Sequence, residues 1–403
     1  MSKDDLAHTD STAVASVHDG SALFDTAHAD KPIDKLEAFR RICAESGRKP
    51  TDIVKEFFAL ARGRGRLSFR DYIAYRLYDD NFIGGADKTA FIGRRRNQEL
   101  VGEINYRHEW NCLADDKFAN ASYLASYGLP IIPTKAIFAP NMRRGAKSLL
   151  KSRADLQRFL SDPAQYPLFG KPIDGFQSLG SIALVNLDRE TGQITTSHSL
   201  VSVDALVEAI DTNFKDGYIF QTQLHGHSDL APAIGTGFST ARIITIATEE
   251  GPRLFSAAWK IIGGANVADN YWRPGNILAA LDRVSGGVLK AVTGNGFEMK
   301  DIDRHPSTGV LLLGLVLPKY SEVIEIAIEG HRTLRNVGII GWDIGVTNEG
   351  PVIVETNVMP DLMLVQAAHR SGAFNDDLAT LLTRQKSGAE AHKRAMAATL
   401  VKD

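Results

Sequence analysis

Residues 341–358 constrain the fold of this chain more than any other stretch, because their pattern is typical of a β-hairpin. Two apolar segments flank Asn-Glu-Gly at 348–350, a triplet that favours a tight turn. A hairpin centred on this turn places Asp343 opposite Glu355, and strand alternation puts Glu355 and Asn357 on one face. Directly paired residues lie roughly 5 Å apart at Cβ. Two carboxylates that close repel each other unless a cation lies between them.

Asp343, Glu355 and Asn357 therefore form the predicted metal site. Oxygen ligands of this kind suit Mg²⁺, whose coordination is usually completed by water and substrate phosphates. The hairpin on its own indicates a phosphate-handling enzyme. The alternative is a surface hairpin that carries charges on its exposed face.

Bulk composition indicates a soluble cytoplasmic protein. The chain has 403 residues, 44% of them hydrophobic and 23% charged, which is ordinary globular composition and enough for two or three domains. A net charge of -2 shows no excess of positive charge that would indicate a nucleic-acid partner. Cys43 and Cys112 lack metal-ligand spacing and fit a reducing compartment. The longest apolar run, residues 310–317, is too short to span a membrane, so we expect no membrane association.

Sequence periodicity divides the chain into regions of different character. Residues 1–32 have no apolar periodicity and are predicted to be a flexible tail. Residues 33–112 show helical spacing of apolar residues, interrupted by glycines. From residue 113 onward, strand and helix patterns are mixed, and a last helical stretch begins at residue 376. Mixed antiparallel strands and helices favour an α+β fold over a single parallel sheet.

Residues 169–181 form the second informative motif. A predicted strand delivers Lys171, and a loop rich in Gly and Ser leads into the next strand. Backbone N–H groups in such a loop can surround phosphate oxygens, while the lysine supplies a point charge. The alternative is an ordinary hairpin with an exposed lysine. We find no P-loop, dinucleotide-binding fingerprint, nucleophile elbow or HExxH pattern that would indicate another chemistry.

A third motif covers residues 218–227, where an apolar strand runs into polar residues and then turns. This pattern predicts a hinge that could hold a purine edge through backbone groups and a ribose through a side chain. His225 lies near the end of this motif and is either a surface residue or a general base.

Two further segments carry candidate substrate contacts. Arg242 opens a strongly apolar strand, where its charge needs an anion, either a phosphate or a protein carboxylate. Residues 266–276 form a long polar loop with aromatic residues, and Asp269, Asn270 and Arg273 are its candidate substrate ligands. The alternative for this loop is a solvated hairpin turn.

Taken in this order, the motifs resemble those of the ATP-grasp superfamily across residues 115–380. Residues 65–78 and the loop at Asp269-Asn270 look more narrowly like the sugar-transfer-associated ATP-grasp family, which is predicted to act near cell-surface polysaccharide synthesis. The resemblance implies two α+β subdomains that clasp ATP, at residues 113–220 and 221–403, behind the helical N-terminal region.

The resemblance also implies a role for each matching residue. Lys117 and Lys171 would contact ATP phosphates, and Arg242, with Lys171, would act on the transferred phosphate. Asp343, Glu355 and Asn357 would hold one or two Mg²⁺ ions, for which Mn²⁺ could substitute. The remaining nucleotide contacts would be a mobile phosphate loop and the hinge, formed by Gly175, Ser178, Gly180 and Ser181, and by Gln221, Gln223 and Leu224. Many relatives have Glu in the hinge where this chain has Gln.

These roles predict an ATP- and Mg²⁺-dependent ligase. A small-molecule carboxylate would be activated as an acyl phosphate and joined to an amine, in cell-surface polysaccharide or secondary-metabolite biosynthesis. Two alternatives stay open: a small-molecule kinase on the same fold, and a nucleotide-binding regulator without turnover. The sequence does not indicate an oligomeric state.

Overall fold

The chain folds as a mixture of helices and two large sheets. The computed structural model describes residue 24 and residues 33–142, 148–174, 180–197, 199–235, 237–264, 266 and 268–400, with side chains described as far as residue 397. Within these residues there are thirteen α-helices and two seven-stranded sheets, which confirms the predicted α+β class. None of the described helices is long and apolar enough to cross a membrane.

Residues 33–116 contain six helices, as the apolar periodicity predicts. Side chains of Asp34, Ser68 and Asp79 accept hydrogen bonds from the first turns of three of them, which satisfies N–H groups that have no partner inside the helix. The helices are α1 Lys35–Ser46, α2 Pro50–Arg62, α3 Phe69–Ala74, α4 Asp80–Ile83, α5 Arg94–Ile104 and α6 Cys112–Asp115.

The first sheet is built from residues 134–222. Its strands are β1 Thr134–Phe138, β2 Leu149–Leu150, β3 Leu168–Pro172, β4 Ile182–Leu187, β5 Gln193–Thr196, β6 Leu200–Ser202 and β7 Tyr218–Thr222. The strand order is β2-β1-β7-β3-β4-β5-β6, and only β1 and β2 are parallel. The predicted boundary after residue 220 falls within β7.

Three helices accompany the first sheet: α7 Lys117–Ser126, α8 Arg153–Leu160 and α9 Val203–Asn213. Helices α8 and α9 bury Leu156, Leu206 and other apolar side chains against one face of the sheet. Because strand side chains alternate, Phe169 and Lys171 of β3 point to the opposite face. That face is left for the polar residues of the candidate site.

The second sheet is built from residues 240–357 and has the strand order β12-β11-β10-β9-β8-β13-β14, antiparallel throughout. The strands are β8 Thr240–Thr248, β9 Gly251–Ile261, β10 Ile277–Leu281, β11 Val288–Thr293, β12 Lys300–Asp301, β13 Ile339–Thr347 and β14 Gly350–Asn357. The remaining helices are α10 Ala231–Ile234, α11 Tyr320–Thr333, α12 Leu362–His369 and α13 Asp376–Leu400. Helix α11 packs on one face of this sheet, while α5, α12 and α13 pack on the other.

Helix α5 attaches the N-terminal helices to the predicted metal hairpin. The side-chain amide of Asn105 donates to the carbonyls of Ile339 and Val358 at 2.8 and 2.6 Å, and its oxygen accepts from the Gly338 and Ile339 amides. All four hydrogen-bonding positions of this buried amide are therefore used. Both ends of the hairpin are held at one point.

Several elements differ from the sequence prediction. The sequence pattern did not predict strands β2, β5, β6, β10 and β12 or helices α10 and α12. Strand β10 and helix α12 are buried nearly all round, so neither has a polar face that would reveal its period. The predicted flexible tail at residues 1–32 lies outside the described residues except for Phe24, which is buried against the first sheet.

A buried polar triad fixes helix α11 to strands β8 and β13. The Trp342 indole donates to Thr245 Oγ1 at 2.9 Å, and Thr245 Oγ1 lies 2.8 Å from His331 Nδ1. The other ring nitrogen, His331 Nε2, faces the Val337 carbonyl at 2.9 Å, an arrangement that suits a neutral ring protonated at Nε2. Burial lowers the pKa of His331 to about 4.

We expect stability to fall as pH drops from about 6.5 to about 4. In this window the unfolded chain protonates its histidine while the folded protein keeps His331 neutral, which costs about 2 kcal/mol between pH 7 and pH 5. Urea unfolding of the wild type and of His331→Gln at both pH values measures this loss. The variant should lose about 2 kcal/mol less than the wild type over that interval. Equal losses would contradict the prediction.

Candidate functional site

A cavity of about 660 Å³ is lined by residues of both sheets. Ten of the predicted site residues line it: Lys117, Lys171, Ser181, Gln221, Gln223, Leu224, His225, Asp269, Asp343 and Glu355. Gly180, Arg242, Asn270, Arg273 and Asn357 are described but do not line it. Gly175 and Ser178 lie outside the described residues. Residues separated by more than two hundred positions are thus brought to one cavity.

Two lysines form one wall of the cavity. Lys171 on β3 is only 8% exposed, and its ammonium has no hydrogen-bond or ion-pair partner within the described part of the chain. Burial lowers its pKa to about 8, since the opposing effect of Glu355 is smaller. Lys117 opens helix α7, and its Nζ lies 3.9 Å from Glu355 Oε1. Burying an ammonium without a partner, as in Lys171, costs free energy unless an anion accompanies it.

The hinge contributes two side-chain oxygens that have no hydrogen-bond partner within the described part of the chain. Gln221 ends the buried part of β7, and Gln223 follows the strand. The Oε1 atoms of both side chains are buried and accept no hydrogen bond from the described residues. An unsatisfied buried acceptor costs about 1–3 kcal/mol. These amides, which line the cavity, are therefore suited to a ligand that brings its own hydrogen-bonding groups.

The hairpin pairs Asp343 with Glu355, as the sequence predicts, although the turn is different. A two-residue turn at 348–349 pairs Thr347 with Gly350, which shifts the register from the predicted centre. An extra residue between the partners of Asp343 and Ile344 then forms a β-bulge. The bulge restores the expected pairing from Asp343 onward.

Asp343 is engaged by two cations of the protein itself. Arg242 is its direct partner on β8 and donates from Nε to Oδ1 at 2.7 Å and from its terminal nitrogen to Oδ2 at 3.1 Å. Lys260 Nζ donates to Oδ2 at 3.1 Å. Burial raises the pKa of Asp343, but the charges of Arg242 and Lys260 outweigh burial and lower it overall. The anion beside Arg242 is thus a protein carboxylate, and its contact with a phosphate stays a prediction.

Lys260 is a buried site residue that the sequence analysis missed. It is the penultimate residue of strand β9, and its Nζ also lies 3.2 Å from Asp269 Oδ1. Asp269 in turn accepts from the Thr240 amide and hydroxyl. The signal that identified Arg242, a charge in an apolar strand, is present in the segment AAWKII and could have revealed Lys260 as well.

Asn276 holds the loop that carries Asp269. This fully buried residue donates to the Ala268 and Asn270 carbonyls and accepts from the Gly263 amide. The described residues of the loop from Ala268 to Asn276 are therefore held together by the side chain of Asn276. Asp269 faces the cavity, whereas Asn270 and Arg273 do not line it.

Cations and carboxylates are paired at the site. Four cations, Lys117, Lys171, Arg242 and Lys260, are grouped with three carboxylates, Asp269, Asp343 and Glu355, and the charges of Asp116, Asp174 and Asp361 also act on Lys117 or Arg242. Strand pairing explains part of the grouping, because Arg242 lies opposite Asp343, which lies opposite Glu355. Among these cations, Lys171 is the one whose ammonium has no hydrogen-bond or ion-pair partner within the described part of the chain, so it is the one suited to an anionic ligand.

The residues fit Mg²⁺ only together with ligand oxygens. Among the described residues no cluster of three or more His, Cys, Asp or Glu could hold a metal ion. Asp343 is engaged by cations, so Glu355, which is 36% exposed, is the accessible carboxylate. Asn357 does not line the cavity, and its buried atom without a described partner is the amide nitrogen Nδ2, which is a hydrogen-bond donor and not a metal ligand. Mg²⁺ is commonly bound by one or two carboxylates plus substrate phosphates, and Glu355 fits that arrangement.

We expect Asp343 and Glu355 to differ sharply in their effect on stability. Asp343→Asn leaves two buried cations without their carboxylate and should cost about 3–5 kcal/mol. Glu355→Gln removes a partly exposed charge and should cost less than about 1 kcal/mol. Urea unfolding without nucleotide compares the two variants. Equal losses would show that the Asp343 network does not carry the stability assigned to it.

Comparison with known proteins places the chain in a family. No curated protein matches it. Among solved structures, it resembles D-alanine-D-alanine ligase from Coxiella burnetii, with 12% identity, a TM-score of 0.41, and coverage of 76% of this chain and 69% of that one. Biotin carboxylase from Campylobacter jejuni has 12% identity, a TM-score of 0.42 and coverages of 73% and 53%.

L-amino acid ligase from Bacillus licheniformis has 11% identity and a TM-score of 0.35 over 67% of this chain, which spans about half (48%) of that protein. The model of the sugar-transfer associated ATP-grasp family matches residues 95–380, more than two thirds of the sequence. This match confirms the resemblance seen in the motifs, and the fold described above is accordingly the ATP-grasp fold. The chain belongs to the sugar-transfer associated ATP-grasp family.

Proposed function

We propose that this protein is an ATP- and Mg²⁺-dependent ligase that activates a carboxylate as an acyl phosphate and joins it to an amine. The observation that carries the proposal is Lys171, a buried ammonium without a described partner, which lines the same cavity as Glu355. The cavity volume of about 660 Å³ lies within the usual range for small-molecule sites. Membership of an ATP-grasp family supports the assignment of ATP as the ligand.

The nucleotide would occupy the cavity between the lysines and the hinge. Its phosphates would supply the anion that Lys171 lacks, and Lys117 would add a second positive charge. The base and ribose would use the hinge, where the Oε1 atoms of Gln221 and Gln223 accept no hydrogen bond from the described residues. Ser181 is buried at the end of the Gly-rich segment and lines the same cavity as Lys171.

Mg²⁺ would be held by Glu355 and by the amide oxygen of Asn357, with nucleotide oxygens completing its coordination. When bound, the ion supplies charge neutralisation for phosphoryl transfer. Arg242 and Lys260 would remain in place because Asp343 holds both of them. Cations that are already fixed in position need not move when negative charge develops on the transferred phosphoryl group.

The proposed reaction has two steps. A carboxylate oxygen attacks the γ-phosphorus of ATP, the bond to the β-phosphate oxygen breaks, and ADP leaves. An amine nitrogen then attacks the acyl carbon, phosphate leaves, and the proton of the amine passes to solvent. Phosphoryl transfer needs mainly positioning and neutralisation of charge, which the lysines, Arg242 and the metal would provide. We place the reaction in cell-surface polysaccharide or secondary-metabolite synthesis, in the cytoplasm.

Mass spectrometry of products tests the proposal. The protein is incubated with pooled metabolites, ATP and Mg²⁺, and a mass gain that matches condensation of a carboxylate with an amine is expected. Glu355→Gln should abolish the product, whereas Glu349→Gln, the same change at the turn of the same hairpin, should retain it. A gain of one phosphoryl group would indicate a kinase instead. Tight ATP binding with no turnover would indicate a regulator.

The pKa of Lys171 predicts a pH dependence of nucleotide affinity. Above pH 8 the free protein loses the ammonium charge that the phosphates require, so affinity should fall about tenfold between pH 7 and pH 9. Lys171→Arg stays charged throughout and should show a flat profile. Competition binding of a non-hydrolysable ATP analogue measures both proteins. A parallel decline in the arginine variant would show that another group titrates.

A further inference from the structure

We propose that Phe24 is a positioning residue for the nucleotide site and that it acts on Gly180 and Ser181 through Phe214 and Tyr218. This inference rests on the proposed function, because it concerns the same cavity. The inference assigns a role to one residue of the N-terminal segment that the sequence predicts to be a flexible tail. The evidence is a continuous series of contacts from Phe24 to the cavity wall.

The first contact is aromatic. Phe24 is only 8% exposed and belongs to the core of the first sheet. Its ring meets Phe214 edge-on, with 4.9 Å between the centroids, and lies 6.1 Å from the Tyr218 ring. Phe214 and Tyr218 also touch each other at 4.9 Å. Phe24 therefore completes a three-ring cluster at the end of helix α9 and the start of strand β7.

The second contact joins this cluster to Gly180. The Tyr218 hydroxyl donates to the Gly180 carbonyl at 2.7 Å. Gly180 has φ +75°, and a Cβ built on it would lie 2.7 Å from two carbons of the Phe214 ring. The residue is thus held by Tyr218 and packed against Phe214, in a conformation that favours glycine. A shift of either ring would move the Gly180 backbone.

The third step leads from Gly180 into the cavity. Ser181 follows Gly180 directly, is buried, and lines the cavity. Strand β4 begins at the next residue and contributes Ala183 to the same wall. Gly180, at the described end of the Gly-rich segment, is therefore positioned by the cluster of Phe24, Phe214 and Tyr218.

Phe24 also gives the N-terminal part of the chain a contact with each sheet. Phe24 packs on the first sheet, while helix α5 is bound to the second sheet through Asn105 and donates from Asn97 to the Pro360 carbonyl. If the cluster of Phe24, Phe214 and Tyr218 contributed only to stability, it would not need to contact Gly180. Because the cluster does contact Gly180, we expect Phe24 to affect nucleotide binding as well as stability.

The test measures binding of ADP with Mg²⁺ to the full chain by calorimetry. Phe24→Ala should raise Kd about fivefold, a coupling typical of residues that act through neighbours. Phe24→Leu, which keeps most of the buried apolar volume, should restore most of the affinity. Phe58→Ala is the matched control, because Phe58 is 47% exposed on α2 and does not line the cavity, and its Kd should not change.

A double-mutant cycle isolates the proposed connection. In a Phe214→Leu background, Phe24→Ala should change Kd by less than about twofold, since the intermediate ring is already lost. Leu156→Ala, in the same core on α8, controls for general destabilisation and should leave Kd unchanged at a temperature where all variants are folded. Urea unfolding establishes that condition for each variant.

The outcomes separate this inference from the proposed function. If the wild type binds no nucleotide, the proposed function fails and this inference fails with it. If the wild type binds and Phe24→Ala binds equally well, only the role of Phe24 is overturned. If Leu156→Ala weakens binding as much as Phe24→Ala does, the effect is general and the positioning role is likewise overturned.

Discussion

The buried ion network of Arg242, Asp343 and Lys260 is the interaction on which the rest of the site depends. These three charges lie on neighbouring strands β8, β13 and β9 and are almost completely removed from water. A buried charge is tolerated only when it is paired and hydrogen-bonded, so each member requires the others. Asp269 adds a second carboxylate to Lys260, and through Thr240 it joins the loop that precedes β10 to the same network.

This network also decides which charges remain available for a ligand. Arg242 and Lys260 are balanced by Asp343 and Asp269, so their positions are set before any ligand arrives. Lys117 lies 3.9 Å from Glu355 Oε1, whereas the Lys171 ammonium has no ion-pair partner within the described part of the chain. The protein thus separates two cations that are fixed by its own carboxylates from Lys171, which is suited to an anionic ligand. This separation is the physical basis for the proposal that the cavity takes a polyphosphate.

The hairpin shows which structural features the local sequence pattern predicts and which it does not. The turn triplet and strand alternation predicted the pairing of Asp343 with Glu355, and the structure has that pairing. The pairing results from a two-residue turn and a β-bulge, and the local sequence pattern predicted neither of them. For Asp343, the sequence indicated a metal between carboxylates, whereas the nearest cations are Arg242 and Lys260. Those partners come from strands about 80 and 100 residues away, so their proximity depends on sheet order.

By itself the sequence determined the α+β class, the order of the ATP-grasp motifs and ten of the side chains that line the cavity. These properties follow from period, turn chemistry and residue type, which are local. Tertiary structure decided that Lys260 joins the site, that Arg242 binds a carboxylate, that β10 and α12 are buried elements, and that Phe24 packs against Phe214 and Tyr218. Each of these depends on which strands and helices become neighbours. Burial and pairing of charge are properties of that assembly, and no single segment encodes them.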